Sequence, residues 1–276
     1  MIIDGKQIAL NIKDEVKEEV ANIGQALKLV IIQIGDDPAS SVYVKNKTKA
    51  CDYVGIAVDD IHLPENTSEK DVLALIDKLN KDNSVTALMV QLPLPDHLDE
   101  KIIINRINPL KDVDGLTNIN QGRLFNEEKC IVPATPKGVL ELLARSNVVL
   151  TSANVAMVGY SILVGKTLSA LLIQKRATVT VCRSRTQHLG DILRRQDIVI
   201  VAVGKPGLVK GNDLKTGAVV IDVGINRVEG KLVGDVDYES AYPICSLITP
   251  VPGGCGPMTI ACLMQNVVEC YHLQEK

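Results

Sequence analysis

Tyr43 and Lys47 stand four residues apart in the segment Asp36-Asp37-Pro38-Ala39-Ser40-Ser41-Val42-Tyr43-Val44-Lys45-Asn46-Lys47. Asp37 before Pro38 reads as a helix start, with Asp as N-cap and Pro at the first helical position. On such a helix the i and i+4 side chains share a face. A phenol hydroxyl beside an ammonium can hold or relay a proton, and burial can lower the pKa of a lysine that faces a cleft. The competing reading makes Lys45, Lys47 and Lys49 plain surface charges; of the three, only Lys47 shares the Tyr43 face. Further on, the apolar run Ala87-Leu88-Met89-Val90 ends in Gln91 and two prolines. Open α/β sheets bind ligands beyond the carboxyl ends of their strands. There the Gln91 amide can both donate to and accept from a heterocycle, or simply cap a loop. Lys111-Asp112-Val113-Asp114-Gly115 offers a carboxylate for a basic heterocycle, though two Asp near a Gly also make a turn.

A second constellation suits a dinucleotide. Asn154-Val-Ala-Met-Val-Gly159-Tyr160-Ser161-Ile-Leu-Val164-Gly165 runs from a strand through glycines into an apolar helix. A turn of this kind brings backbone N–H groups and a helix N-terminus to a phosphate. Ser161 occupies the middle glycine position of the usual G-x-G-x-x-G pattern, so the turn is a weak fingerprint alone. The following strand ends at Cys182 and continues Arg183-Ser184-Arg185-Thr186, with no acidic residue before Asp191. A site for NAD would place a carboxylate there for the ribose hydroxyl, whereas Arg and Ser suit the 2′-phosphate of NADP. Near the C-terminus, Pro250-Val251-Pro252-Gly253-Gly254 reads as a loop that lets a flat ligand approach the backbone.

The elements that must position these residues follow from periodicity. Short β-branched runs alternate with stretches of helical period, the mark of an α/β chain with parallel sheets. Strands are expected at 27–34, 57–63, 85–92, 154–159, 178–182, 198–203, 219–223 and 246–248, and helices at 6–22, 38–54, 68–80 and about 259–273. The polar segment from Asn108 to Leu124 reads as a crossing between two halves. A length of 276 residues favours two lobes sharing a cleft. Hydrophobic residues at 46%, but aromatics at only 3%, leave aliphatic side chains to fill the cores. A net charge of −3 gives no positive field for nucleic acid. No apolar run reaches membrane-spanning length and the N-terminus lacks a signal pattern, so no membrane partner and a cytoplasmic location are expected. Seven scattered cysteines without ligand spacing point to buried reduced thiols and no metal.

Taken together and in this order, Tyr43-Val-Lys-Asn-Lys47, Val90-Gln-Leu-Pro-Leu-Pro95, Lys111-Asp-Val-Asp-Gly115, Val203-Gly-Lys-Pro-Gly207, Val220-Ile-Asp-Val-Gly-Ile-Asn226 and Pro250-Val-Pro-Gly-Gly254 carry a resemblance over essentially the whole chain. The chain resembles the bifunctional methylenetetrahydrofolate dehydrogenase/methenyltetrahydrofolate cyclohydrolase family, usually called FolD. The resemblance implies a folate lobe at residues 1–117, completed by a C-terminal helix at 256–276, a Rossmann-like NADP-binding domain at 118–255, and a homodimer. It makes Lys47 the principal catalytic group, with Tyr43 and Gln91 assisting. It places the folate against Tyr43, Gln91, Asp114, Pro252, Gly253 and Gly254. It assigns Gly159, Tyr160, Ser161, Val164, Gly165, Arg183 and Ser184 to NADP, with Ile225 beside the nicotinamide. Tyr160 is a departure, standing where many relatives have an arginine. Two rival readings are an NADP dehydrogenase acting on another small metabolite and a non-catalytic NADP-binding protein.

Overall fold

The computed structural model describes residues 1–275, with the side chains of residues 38–42 excepted. The Pro38 side chain, invoked above at the start of a helix, and Lys276 therefore lie outside the described residues. In chain order the helices are α1 (Gly5–Ile23), α2 (Pro38–Val54), α3 (Glu69–Lys81), α4 (Glu100–Arg106), α5 (Asn118–Phe125), α6 (Ala134–Arg145), α7 (Thr167–Gln174), α8 (Leu189–Leu193), α9 (Tyr238–Ala241) and α10 (Cys255–Gln274). The strands are β1 (Lys28–Ile34), β2 (Ala57–Leu63), β3 (Ala87–Val90), β4 (Asn154–Val158), β5 (Thr178–Cys182), β6 (Ile198–Val201), β7 (Val219–Asp222), β8 (Asn226–Val228), β9 (Lys231–Val233) and β10 (Leu247–Ile248). The chain divides into two compact units, one of Leu10–Ala134 with Ile260–Lys276, the other of Met1–Ala9 with Thr135–Thr259.

The first unit is built on a parallel sheet of order β2-β1-β3. Six of the seven residues of β1 are buried, which is why its sequence is an almost unbroken aliphatic run. Helix α3 shows how sequence sets an element. Ser68 caps it by accepting the Asp71 N–H, Glu69 and Asp71 sit at its positive end, and Lys78 and Lys81 at its negative end. Val72, Ile76 and Leu79, spaced for one face, are buried against Val30, Ile32, Leu88 and Val90 of the sheet. The C-terminal part of α10 packs back on this unit, as expected. Asn266 Nδ2 donates to Val113 O at 2.9 Å and Val132 O at 2.8 Å, Gln274 Nε2 donates to Thr86 O at 2.8 Å, and Met264 Sδ lies 3.4 Å from Cys51 Sγ. The segment read as a polar crossing holds α5 instead, capped by Thr117, whose hydroxyl accepts from Asn120 N–H. Its polarity reflects buried, hydrogen-bonded groups such as Lys111, Asp112, Thr117 and Asn120 rather than lack of structure.

The second unit is a parallel sheet of order β10-β7-β6-β4-β5 with a separate β8-β9 hairpin. Renumbered along this unit, the order is 2-1-3-4-5, one of the doubly wound arrangements. The order reverses between β4 and β6, so their carboxyl ends form the crevice where such sheets bind ligands. The N-terminus joins this unit. Ile3 N–H donates to Ile248 O at 2.9 Å and Ile248 N–H to Met1 O at 3.1 Å, extending the sheet beyond β10.

Candidate active site

In the first unit, three of the expected residues come together on separate elements. Lys47 projects from α2, and its Nζ donates to Gln91 Oε1 at 2.8 Å and lies 3.6 Å from Met89 Sδ. Gln91 is the first residue past β3 and is buried; its N–H donates to Ile32 O at 2.8 Å, which continues the ladder and fixes the strand end. Its Nε2 donates to Leu92 O at 2.7 Å, so the amide oxygen is left facing the amine. Burial lowers the Lys47 pKa, while the charge of Asp114 and the neighbouring Cys51 oppose the shift. Neither a neutral amide oxygen nor a thioether stabilises an ammonium as a carboxylate would. Cys51, one turn along α2, is pushed up to about 12 by burial and stays a thiol.

Asp114 owes its place to the turn before it. Leu88 N–H donates to Lys111 O at 2.7 Å and Val113 N–H to Leu88 O, which fastens the turn to β3. The Lys111 amine donates to Leu79 O at 3.1 Å and Asp82 O at 2.7 Å, tying down the end of α3. The buried Asp112 carboxylate accepts from Leu116 N–H, Thr117 N–H at 2.8 Å and Asn120 Nδ2 at 2.9 Å. Of the two aspartates, Asp112 therefore makes the turn. Asp114 is half-buried, and among the described residues no hydrogen bond reaches its carboxylate. Burial pushes it up to about 6, against the pull of Lys47 and with help from the charge of Asp112. Tyr43, on α2, is 47% exposed, and its hydroxyl makes no hydrogen bond among the described residues. The amine is thus held by Gln91 and not by the phenol.

The second unit carries the dinucleotide candidates at the crevice of its own sheet. Gly159, directly after β4, has φ +116, and a Cβ there would overlap the Ala202 carbonyl oxygen beyond β6. A Cβ on Gly165 would overlap the Gly159 carbonyl. Only glycines let strand, turn and following helix meet this closely. Ser161 caps the next turn by accepting the Val164 N–H at 3.3 Å. That turn, Ile162–Lys166, is a π-helical one closed by Lys166 N–H to Ser161 O at 2.9 Å, and it runs into α7. The Ile162 and Leu163 amides at its start have no partners within the helix and can serve an anion. Arg183 and Ser184 are exposed just past β5, where Thr186 Oγ1 accepts the Arg183 N–H at 2.8 Å, and the Arg183 guanidinium lies 4.9 Å from the centre of the Tyr160 ring. Ile162, Leu163, Val203 and Ile225 are exposed large apolar residues following β4, β6 and β7. A glycine-tight turn, a capped helix start and an apolar rim fit an NADP molecule.

Asp222 and Asp235 hold this rim, and the sequence pattern did not single them out. Asp235 accepts from the N–H groups of Val203 at 2.6 Å, Gly204 at 2.8 Å and Lys205 at 2.8 Å, and from Asn226 Nδ2 at 2.9 Å. Asp222 accepts from Gly224 N–H at 2.9 Å, Asp235 N–H at 3.0 Å and Val236 N–H at 2.8 Å. Between them they fix the loops that present Val203 and Ile225. Of Pro252, Gly253 and Gly254, which belong to this same unit, Pro252 is exposed and the glycines are buried. Gly253 has φ +111, and a Cβ on Gly254 would come within 2.7 Å of Pro250 O and Thr249 Cβ. Backbone packing thus accounts for both glycines.

A doubly wound unit with a glycine turn at its switch point, in a chain whose other unit presents a buried amine and a carboxylate without a hydrogen-bond partner among the described residues, defines a nucleotide-dependent α/β enzyme. The comparisons with known proteins say which. The chain belongs to the tetrahydrofolate dehydrogenase/cyclohydrolase family, with residues 3–114 matching its catalytic domain and residues 133–275 its NAD(P)-binding domain. The chain is 49% identical to bifunctional protein FolD of Acetivibrio thermocellus, over 100% of its own length and 98% of that protein's. Among solved structures it is similar to the bifunctional enzyme FolD of Campylobacter jejuni, with a TM-score of 0.96, 43% identity and 99% coverage of each chain. It is also similar to the Trypanosoma brucei methylenetetrahydrofolate dehydrogenase-cyclohydrolase, solved with NADP cofactor and inhibitor, with a TM-score of 0.94 and 37% identity, covering 100% of this chain and 98% of that one.

Proposed function

We infer that the chain oxidises 5,10-methylenetetrahydrofolate with NADP+ and hydrolyses the resulting 5,10-methenyl form to 10-formyltetrahydrofolate, supplying one-carbon units for purine synthesis. The observation that carries this reading is the Lys47 amine held at 2.8 Å from Gln91 Oε1, with its pKa lowered by burial. Residues 1–117 with 256–276 serve the folate, and 118–255 the dinucleotide. NADP+, when bound, supplies the hydride acceptor for the first reaction. The chain's part in that step is to orient the folate and to present Ile225, 47% exposed, to the nicotinamide. Asp114, without another hydrogen-bond partner among the described residues, takes the pterin.

Hydrolysis needs a proton carrier. A neutral Lys47 amine donates one N–H to Gln91 and keeps its lone pair for water. It takes a proton from water as the oxygen attacks the methenyl carbon, and returns one to N5 as the bond from carbon to N5 breaks. The hydroxyl proton of the adduct leaves to solvent, so one proton is released overall. The cationic substrate lowers the Lys47 pKa further by like-charge repulsion. Tyr43, exposed beside it on α2, is the route by which the proton reaches water. Pro252, Gly253 and Gly254 line the folate, and Gly159, Tyr160, Ser161, Val164, Gly165, Arg183 and Ser184 hold NADP.

Absorbance-monitored turnover of methylenetetrahydrofolate with NADP+ and, separately, NAD+ tests the reading; absence of turnover with either would return the chain to the class of binding proteins. Replacing Arg183 with Ala is expected to weaken NADP+ by about 1 to 3 kcal/mol while sparing NAD+. Equal losses for both would remove Arg183 from the 2′-phosphate. The assembly is a homodimer in the cytoplasm. Support for the dimer comes from β5, an edge strand whose Val181 is exposed, and from the exposed Ile173 of the preceding helix α7. Sedimentation at micromolar concentration decides it. No helix among the described residues is long and apolar enough to cross a membrane.

A further inference from the structure

Two cations share the ring of Tyr160. The Lys166 amine lies 5.2 Å from the ring centre and the Arg183 guanidinium 4.9 Å from it. Both side chains are exposed, and neither has a carboxylate partner among the described residues. Lys166 reaches the ring because of the π-helical turn Ile162–Lys166, in which the Lys166 N–H closes on Ser161 O and the Thr167 hydroxyl donates to Ile162 O at 2.8 Å. A wide turn of this kind re-aims the residue at its end. Two like charges gathered on one phenol repel each other, and the ring quadrupole offsets only part of that cost. A dianion within reach of both would relieve it, and the Ser184 hydroxyl follows Arg183 directly in the chain.

We propose that Lys166 is a second cationic contact for the 2′-phosphate, and that Tyr160 is a positioning residue whose ring holds both Lys166 and Arg183 for a phosphate monoester. This rests on the NADP reading above and names the residues that set its selectivity. A lysine at this site acts as a point charge and an arginine as a planar fork, so the two engage a phosphate without competing for the same geometry.

Calorimetric titration of the full chain with adenosine 2′,5′-bisphosphate and with adenosine 5′-monophosphate separates the possibilities. Lys166→Met should weaken the bisphosphate roughly 10-fold and leave the monophosphate unchanged, because one charge-assisted contact to the 2′-phosphate is lost. Lys166→Arg should retain the preference. Tyr160→Phe should bind both ligands as the parent does, since the ring face persists, whereas Tyr160→Leu should lose bisphosphate affinity at least as much as Lys166→Met. Circular dichroism on each variant confirms folding. An unchanged bisphosphate affinity in Lys166→Met, or an equal loss for both ligands, overturns the proposal and leaves the NADP reading in place. If the parent chain itself binds the two ligands alike, recognition of the 2′-phosphate fails and the proposal falls with it.

Discussion

Lys47 and Lys111 belong to the same unit, and burial lowers the pKa of both, yet their surroundings are opposite. The Lys111 amine meets two backbone carbonyls, Leu79 O and Asp82 O, at the carboxyl end of α3, where the helix dipole favours a positive charge. Lys47 meets one neutral amide oxygen and a thioether. The aspartates divide in the same way. Asp112 is consumed by two backbone N–H groups and an asparagine, while Asp114, two residues on, faces only the charge of Lys47 and of Asp112 itself. Asp222, in the other unit, is also pushed up to about 6, chiefly by burial, but three backbone N–H groups already occupy it. A shifted pKa therefore does not by itself separate the two kinds of group here; the number of hydrogen-bond partners does.

The sharpest way to break the comparison is to remove each amine. Lys47→Met keeps much of the stem and deletes the proposed proton carrier. Hydrolysis is expected to fall on the order of 100- to 10,000-fold while oxidation persists, because hydride transfer depends on orientation. The methenyl intermediate should accumulate and be seen directly by its absorbance. Hydrolysis at the parent rate would strip Lys47 of its role, and joint loss of both reactions in a folded variant would make it a folate-positioning group instead. Lys111→Met is expected to do the reverse. It leaves two carbonyls without their donor and should lower the unfolding free energy by about 2 kcal/mol, read as a shift in urea midpoint, with turnover per folded molecule unchanged. A loss of turnover without loss of stability would erase the contrast between the two lysines.

Much of the fold that holds these residues was legible in the sequence. Strands β2 and β5 and helix α2 have the bounds that periodicity predicts, because each is a clean run between turn residues. The i, i+4 spacing that singled out Lys47 holds, since α2 is regular there. Residue types alone did not separate Asp112 from Asp114, since both lie close to Gly115 and only the resemblance chose Asp114; the pairing of the turn with β3 shows that Asp112 is the one that points into the backbone. Helix α6 was not among the expected helices although Val139, Leu142 and Leu143 bury one side of it, because Thr135, Pro136 and Gly138 in its first turns are poor helix formers. The β8–β9 hairpin turns on Glu229 and Gly230, both at positive φ, a weaker signal than Asn-Gly. Asp235 had no local signature at all, for its partners Val203, Gly204 and Lys205 lie about thirty residues upstream.

The smallest expected effect is the most discriminating for Asp114. Its carboxyl group sits at about 6 in the folded chain, against an ordinary value of 3.8. Between these two values the native state holds a proton that the unfolded chain has released, so stability falls as pH rises from about 4 to 6 and is level above that. Below about 4 both states are protonated and the penalty is absent. A shift of about two units corresponds to roughly 3 kcal/mol, and partial solvent access cuts it to about 1 to 2 kcal/mol. Asp114→Asn removes the ionisation. In the absence of folate it should therefore be more stable than the parent at pH 7.5 and equally stable near pH 4, as read from urea midpoints at the two pH values. The same substitution should raise the folate Michaelis constant, because the charge that costs stability is the one proposed to hold the pterin. Loss of stability at pH 7.5 would instead make Asp114 a second structural carboxylate, like Asp112, and would move the pterin contact elsewhere.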